Sequence, residues 1–144
     1  MTGKLIISMK IDESVVEKNI SVEKEDPYGF SLKFMEKAAE FGQVIERRNE
    51  YLTDGPEHRS RVEFDVVGVL DAFSRLQISV MMESTQKNLR ANITGSFDVD
   101  MDEPGFMSSM LSEFYLENIY PAVRKISIEK LRAVEKIMEA EIGR

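Results

Sequence analysis

The chain reads as an α+β domain in which an antiparallel curved sheet of about five to six strands packs against a long C-terminal helix. Three observations carry that reading. Period-two alternation runs through residues 43–99 with only short breaks, as expected for antiparallel neighbours with one wet and one dry face. Apolar spacing of helical period dominates residues 27–41 and 116–142. No Pro/Gly/Ser linker and no internal repeat divides the 144 residues, a length that suits a single domain over 1–144 with one core.

In residues 4–11, Leu5, Ile7, Met9 and Ile11 alternate with Lys4, Ser8 and Lys10, which predicts a half-buried strand. Residues 12–25 admit two readings. Val16, Ile20 and Val22 alternate with charged neighbours as an exposed strand, whereas Ser14 is placed to cap a short helix through Asn19; the alternation around Ile20 and Val22 favours the strand. Asp26-Pro27 then opens a helix. Asp is a favoured N-cap, and Pro costs nothing at the first helical position, where its missing N–H has no partner to lose. Phe30, Phe34, Ala38 and Phe41 form the buried stripe, Leu32 and Met35 widen it, and Gly42 stands where a left-handed C-cap is expected.

A polar strand follows over Gln43–Thr53, with a turn at Asp54-Gly55-Pro56-Glu57. The strand Arg59–Leu70 places Val62, Phe64, Val66, Gly68 and Leu70 on one face. After a turn at Asp71-Ala72, Phe73–Glu83 does the same with Leu76, Ile78, Val80 and Met82. Ser84–Lys87 turns the chain again. Asn88–Val99 then sends Leu89, Ala91, Ile93, Gly95, Phe97 and Val99 inward and Arg90, Asn92, Thr94, Ser96 and Asp98 outward. In the last third, Leu116, Ile119, Tyr120, Val123, Ile126, Leu131, Val134, Ile137 and Met138 share one side of a helix. Phe106, Met107, Met110, Leu111 and Phe114 fall on the opposite side of the same helix extended backwards. That change of phase, beside the donor-less Pro121, predicts a short helix, a kink or break within 115–121 and a long terminal helix.

Composition narrows the function classes. With 19 basic and 26 acidic residues the net charge is −7, which argues against a generic nucleic-acid binder, since phosphate contacts need clustered Lys and Arg. No apolar run reaches the length of a membrane span, and Met1–Lys10 lacks the features of a secretory signal, so the expected location is cytoplasmic. The absence of cysteine removes disulfides, thiolate metal sites and a cysteine nucleophile. The only histidine, His58, stands in a charged turn and reads as solvated. Asp98, Asp100, Asp102 and Glu103 begin like a calcium loop, but Glu103 and Ser109 occupy the sixth and twelfth positions, where Gly and Glu are required. No phosphate-binding or dinucleotide-binding glycine motif occurs. No cofactor and no metal is expected. Arg47, Arg48, Arg59, Arg61, Arg75 and Arg90, interleaved with Glu46, Glu50, Glu63 and Asp65, read as cross-strand ion pairs on the wet face.

Two features break local rules. Gly68 and Gly95 lie at inward positions in mid-strand, beside the small Ala91; such residues let a sheet bend, let a helix approach closely, or leave room beneath one. Ser127 and Lys130 fall near the centre of the terminal helix's apolar stripe, between Val123 and Val134. A lysine there either snorkels to the helix edge or aims a donor into an apolar pocket. Eight methionines besides Met1 would suit a pliable core or an adaptable pocket.

The order of a first strand, helical material, an antiparallel meander and a long C-terminal helix resembles the START/Bet v 1-like (SRPBCC) helix-grip superfamily. The likeness lies in Leu5–Phe41 and in Ile93-Thr-Gly-Ser-Phe97 leading into Glu113–Glu139, as a pattern over most of the chain. Four strands follow the first clear helix where that superfamily usually has six. The resemblance implies a curved sheet gripping the terminal helix around an apolar cavity, with Phe64, Ile78, Ile93, Phe97, Val123, Ser127, Lys130 and Val134 as lining candidates. The leading expectation is therefore a binding domain for a small hydrophobic or amphipathic ligand, without catalysis. The alternative is an interaction module, a homodimer through segment 104–120, because two opposed apolar helix faces need two partners. An enzyme working through Glu63, Asp65 or Glu83 ranks last, since no spacing pairs them.

Overall fold

The computed structural model describes residues 6–53, 58–69, 74–104, 114, 117–118 and 120–143. Five strands form one antiparallel sheet: β1 (Ile6–Glu23), β2 (Gln43–Leu52), β3 (Arg59–Val69), β4 (Ser74–Thr85) and β5 (Asn88–Pro104). Helix α1 (Pro27–Lys37) runs into a 3₁₀ turn at Ala38–Glu40, and helix α2 (Tyr120–Gly143) ends the described chain. The sheet order is β1-β5-β4-β3-β2. Residues 12–23 are strand, continuous with the first one. The two halves of β1 are joined across a register shift between Ser14 and Val16, where the ladder with β5 skips one residue. The expected turns at Asp54–Glu57 and Asp71-Ala72, and the short helix over 106–113, lie outside the described residues.

Alternation decides which face is dry. Val62, Phe64, Val66, Ile78, Val80, Met82, Leu89, Ala91, Ile93 and Phe97 are all buried on one side of β3, β4 and β5. Their register keeps them there: Phe64 lies opposite Val80, and Val80 opposite Ile93. A one-residue slip would turn the whole set outward, so the burial itself holds the register. The β4–β5 hairpin closes through Gln86 and Lys87, with Gln86 at φ 56°, the left-handed backbone that a two-residue turn needs. Gln86 N donates to His58 O at 2.8 Å, and Lys24 N to Lys87 O at 2.8 Å, tying that hairpin to two other segments.

Both helices cover the dry face. Asp26 caps α1 as its type predicts, its Oδ1 accepting from Gly29 N at 3.1 Å with Pro27 in the first turn. Helix α1 sits mainly on β3, with Phe34 against Phe64 at 6.1 Å between ring centroids. Helix α2 lies mainly on β1 and β5, where the Tyr120 ring meets Phe97 at 6.3 Å. Glu117 and Asn118 have π-type helical backbone and Pro121 sits harmlessly in the first turn of α2; residues 115, 116 and 119 of the expected break lie outside the described residues. The buried stripe of α2 is Ser127, Leu131, Met138 and Ile142. The predicted stripe was too wide: Ile126 and Ile137 are about half exposed, because each precedes a buried position by one residue and so points about 100° away.

Gly42 also needs correction. Helix α1 ends through Ala38 in right-handed geometry and the 3₁₀ turn, with Phe41 N donating to Ala38 O at 3.0 Å, and Gly42 is not left-handed. Its role is spatial: a Cβ there would stand 2.6 Å from Val67 O. Gly68 is the reverse case, since among the described residues its Cβ would find only Phe41 O, at 3.9 Å. Gly42→Ala should therefore cost roughly 1–3 kcal/mol by forcing backbone apart. Gly68→Ala should be neutral or stabilising by roughly 0.5 kcal/mol through the unfolded chain. Thermal unfolding followed by circular dichroism checks both, and equal losses would refute the distinction.

Candidate functional site

The two helices do not meet along their whole length, and the sheet beneath the gap is left partly open. A groove of about 370 Å³ lies there. Its floor is the end of β3 (Val66, Gly68, Val69) and the start of β4 (Leu76, Ile78). One wall is Glu40 and Phe41 after α1, and the other is Lys130, Leu131, Ala133 and Val134 of α2. A smaller cleft of about 200 Å³ shares Glu40 and Phe41 and continues between Phe34, Ala38, Ile137 and Met138. Its mouth is spanned by Lys37 Nζ and Glu141 Oε2, 3.2 Å apart.

The groove brings together three of the eight residues read from sequence, Ile78, Lys130 and Val134. Phe64, Ile93, Phe97 and Ser127 are fully buried in the closed part of the core, and Val123 is half-buried on α2 outside the groove lining. Ser127 and Lys130, adjacent in the predicted stripe, part company here. Ser127 faces the sheet, its Oγ without a hydrogen-bond partner among the described residues, whereas Lys130 is exposed at the groove's rim. Sequence reasoning missed Phe41, Val66, Leu76, Leu131 and Glu40 as lining residues. Gly68 was the available signal, because an inward strand position with no side chain is where the floor opens; nothing in the sequence marks Glu40.

The groove's chemistry is simple. Its walls are largely aliphatic and, among the described residues, carry one phenyl ring and two ionisable groups, Lys130 and Glu40. Such a site can hold an apolar body and orient it by one polar end. The wet face offers a contrast. Arg61 pairs with Glu63 and Glu83 at 3.0 Å each, Arg48 lies 3.6 Å from Glu63, Arg47 3.2 Å from Asp65, and Arg75 3.3 Å from Asp98. Glu63, Asp65 and Glu83, the carboxylates of the enzyme reading, are thus engaged by arginines. His58 is exposed, as expected. Its ring lies parallel to that of Tyr51, itself stacked on Tyr28 with ring centroids 4.7 Å apart.

One carboxyl on α2 is perturbed. Burial pushes the pKa of Glu135 up, and Glu139 one turn on adds to the effect, against a weaker opposing pull from Lys18 and Lys136. Lys18 Nζ itself lies 3.3 Å from Glu139. The folded chain therefore holds the Glu135 proton more tightly than the unfolded chain does. The ionised group costs no stability below its unfolded pKa, where both states are protonated. The cost grows as pH rises towards the folded pKa and persists above it. Glu135→Gln should accordingly raise Tm at pH 7 by on the order of 1–2 °C and have no effect near pH 3. Melts across that range check the sign, and a loss of stability at pH 7 would refute it.

No protein-family profile matches the chain, and no curated protein matches it. Among solved structures, an uncharacterised protein from Rhizobium leguminosarum aligns over 87% of this chain and 99% of its own, at 11% identity and a TM-score of 0.30. A protein from Thermus thermophilus aligns over 88% and 97%, at 13% identity and a TM-score of 0.26. Likenesses this slight identify neither a fold family nor a function.

Proposed function

We propose that this chain is a non-catalytic binding domain for a small hydrophobic or amphipathic ligand, held between the sheet and the C-terminal helix in the manner of the START/Bet v 1-like helix-grip proteins. The observation that carries the reading is the groove of about 370 Å³ between the β3–β4 floor and α2. Its size falls within the range of small-molecule sites, and its few polar groups sit at the rim, where they would orient a ligand. The middle of the sheet beneath the helices is packed to near-zero exposure at Val62, Phe64, Val80, Met82 and Ile93, which sets this opening at the end of β3 apart from the closed core.

A homodimer is the second reading. Phe114, within the segment 104–120 invoked for it, is 56% exposed, as a residue of such an interface would be in the single chain. The rest of that segment, apart from Pro104, Glu117, Asn118 and Tyr120, lies outside the described residues.

Native mass spectrometry of the purified chain, set against its denatured mass, separates the two. A non-covalent adduct that vanishes on denaturation is the expected result. Adding the released compound should then stabilise the fold by about 2.7 kcal/mol at a hundredfold excess over its Kd. A clean dimer without adduct would favour the homodimer, and a bare monomer indifferent to medium-chain amphiphiles would refute both.

A further inference from the structure

We infer that the groove selects a medium-chain amphiphile with a single anionic head, Lys130 holding the head and the missing side chain at Gly68 making room for the tail. The inference rests on the binding function proposed above and adds the ligand's class and length.

Size is the first argument. At the packing density of protein interiors, a groove of about 370 Å³ accepts roughly 280 Å³ of ligand, or about fifteen non-hydrogen atoms. A fatty acid of about twelve carbons fills that space. A sterol or long-chain lipid exceeds it. One position enlarges the room. Val62, Phe64 and Val66 precede Gly68 on the same face of β3 and are at most 2% exposed, so the wall is closed until the side chain disappears. There, among the described residues, an added Cβ would have no neighbour nearer than Phe41 O at 3.9 Å. Filling that space should exclude about as many ligand carbons as the new side chain brings.

Charge is the second argument. Among the described residues that line the groove, Lys130 is the one cation and Glu40 the one anion. The lysine can lay its four-carbon stem along the apolar wall and bring its ammonium over a head group at the mouth. The shorter Glu40 stem has no such reach, and Glu40 also borders the smaller cleft that Lys37 lines. A carboxylate head is therefore favoured over an amine.

Isothermal titration of the intact chain with saturated carboxylates from six to sixteen carbons tests the length. Affinity should rise about fourfold per carbon and level off near twelve. In Gly68→Leu the plateau should come about four carbons earlier, with the variant's melt confirming its fold. The head is tested with decanoate, decanol and decylamine. Decanoate should bind about fivefold better than decanol, and Lys130→Met, which keeps an unbranched apolar stem and removes only the charge, should erase that difference. Equal binding of decanoate and decanol, or a preference for decylamine, would overturn the anionic head while leaving the binding domain standing. A continued rise to sixteen carbons, or a plateau that Gly68→Leu does not move, would overturn the length argument. Failure of all three decyl compounds to bind would refute the groove as a site altogether.

Discussion

The pairing of β1 with β5 is the constraint on which the rest depends. It runs from Ile6–Pro104 to Glu23–Asn88 and joins the first strand of the chain to the last. Every other strand pair is a neighbour in sequence, closed by a short connection. Without β1, strand β5 would be an edge and α2 would lose the platform it rests on most. Lys18 of β1 also gives α2 its ion pair with Glu139. Closing so long a loop carries an entropic cost that only an extended ladder and the apolar surface beneath α2 can offset.

The sheet divides its labour by face. On the wet side, arginines and carboxylates on β2, β3 and β4 pair across strands, with Arg61 reaching Met81 Sδ as well at 3.4 Å. Exposed pairs of this kind add little stability each, but they keep a broad sheet face solvated and unsuited to stacking. The dry side supplies most of the folding free energy, each buried side chain there contributing roughly 1.5–3 kcal/mol. Strand β2 is mostly exposed and is covered over only part of its length. Its Glu46, Arg47, Arg48 and Glu50, with the register shift between Glu46 and Arg48, make that edge a poor template for another strand.

Two glycines at the same end of the molecule serve opposite purposes. Gly42 lets the chain leaving α1 pass against the Val67 carbonyl, which fixes where Phe41 and Glu40 stand. Gly68, next to Val67 but on the opposite face, leaves an opening that Phe41 borders. The groove is thus a consequence of how close one backbone comes and how little side chain the other carries. Its floor belongs to a rigid sheet, a sound basis for a site of fixed shape.

Much of the fold was legible in the sequence. The dry positions of β3, β4 and β5 could be read from alternation because side chains on a strand have only two directions to take. The start of α1 could be read because Asp26-Pro27 satisfies a local hydrogen-bonding need. The site was legible only in part. Gly68, Ile78, Lys130 and Val134 stood out as local exceptions or as members of a stripe, yet Phe64, Ile93 and Phe97 share that pattern and lie in closed core. The alternation is the same whether a helix covers a position or stops short of it. Local chemistry in the chain thus determined which residues of β3, β4 and β5 turn inward, where α1 begins and which strands of the β2–β5 meander are neighbours. Only the tertiary structure decided that α1 and α2 share one face and leave a gap, that Ser127 is sealed while Lys130 reaches water, and that Gly42 serves proximity and not a turn. Those outcomes depend on distances between segments far apart in sequence, and no local pattern encodes such distances.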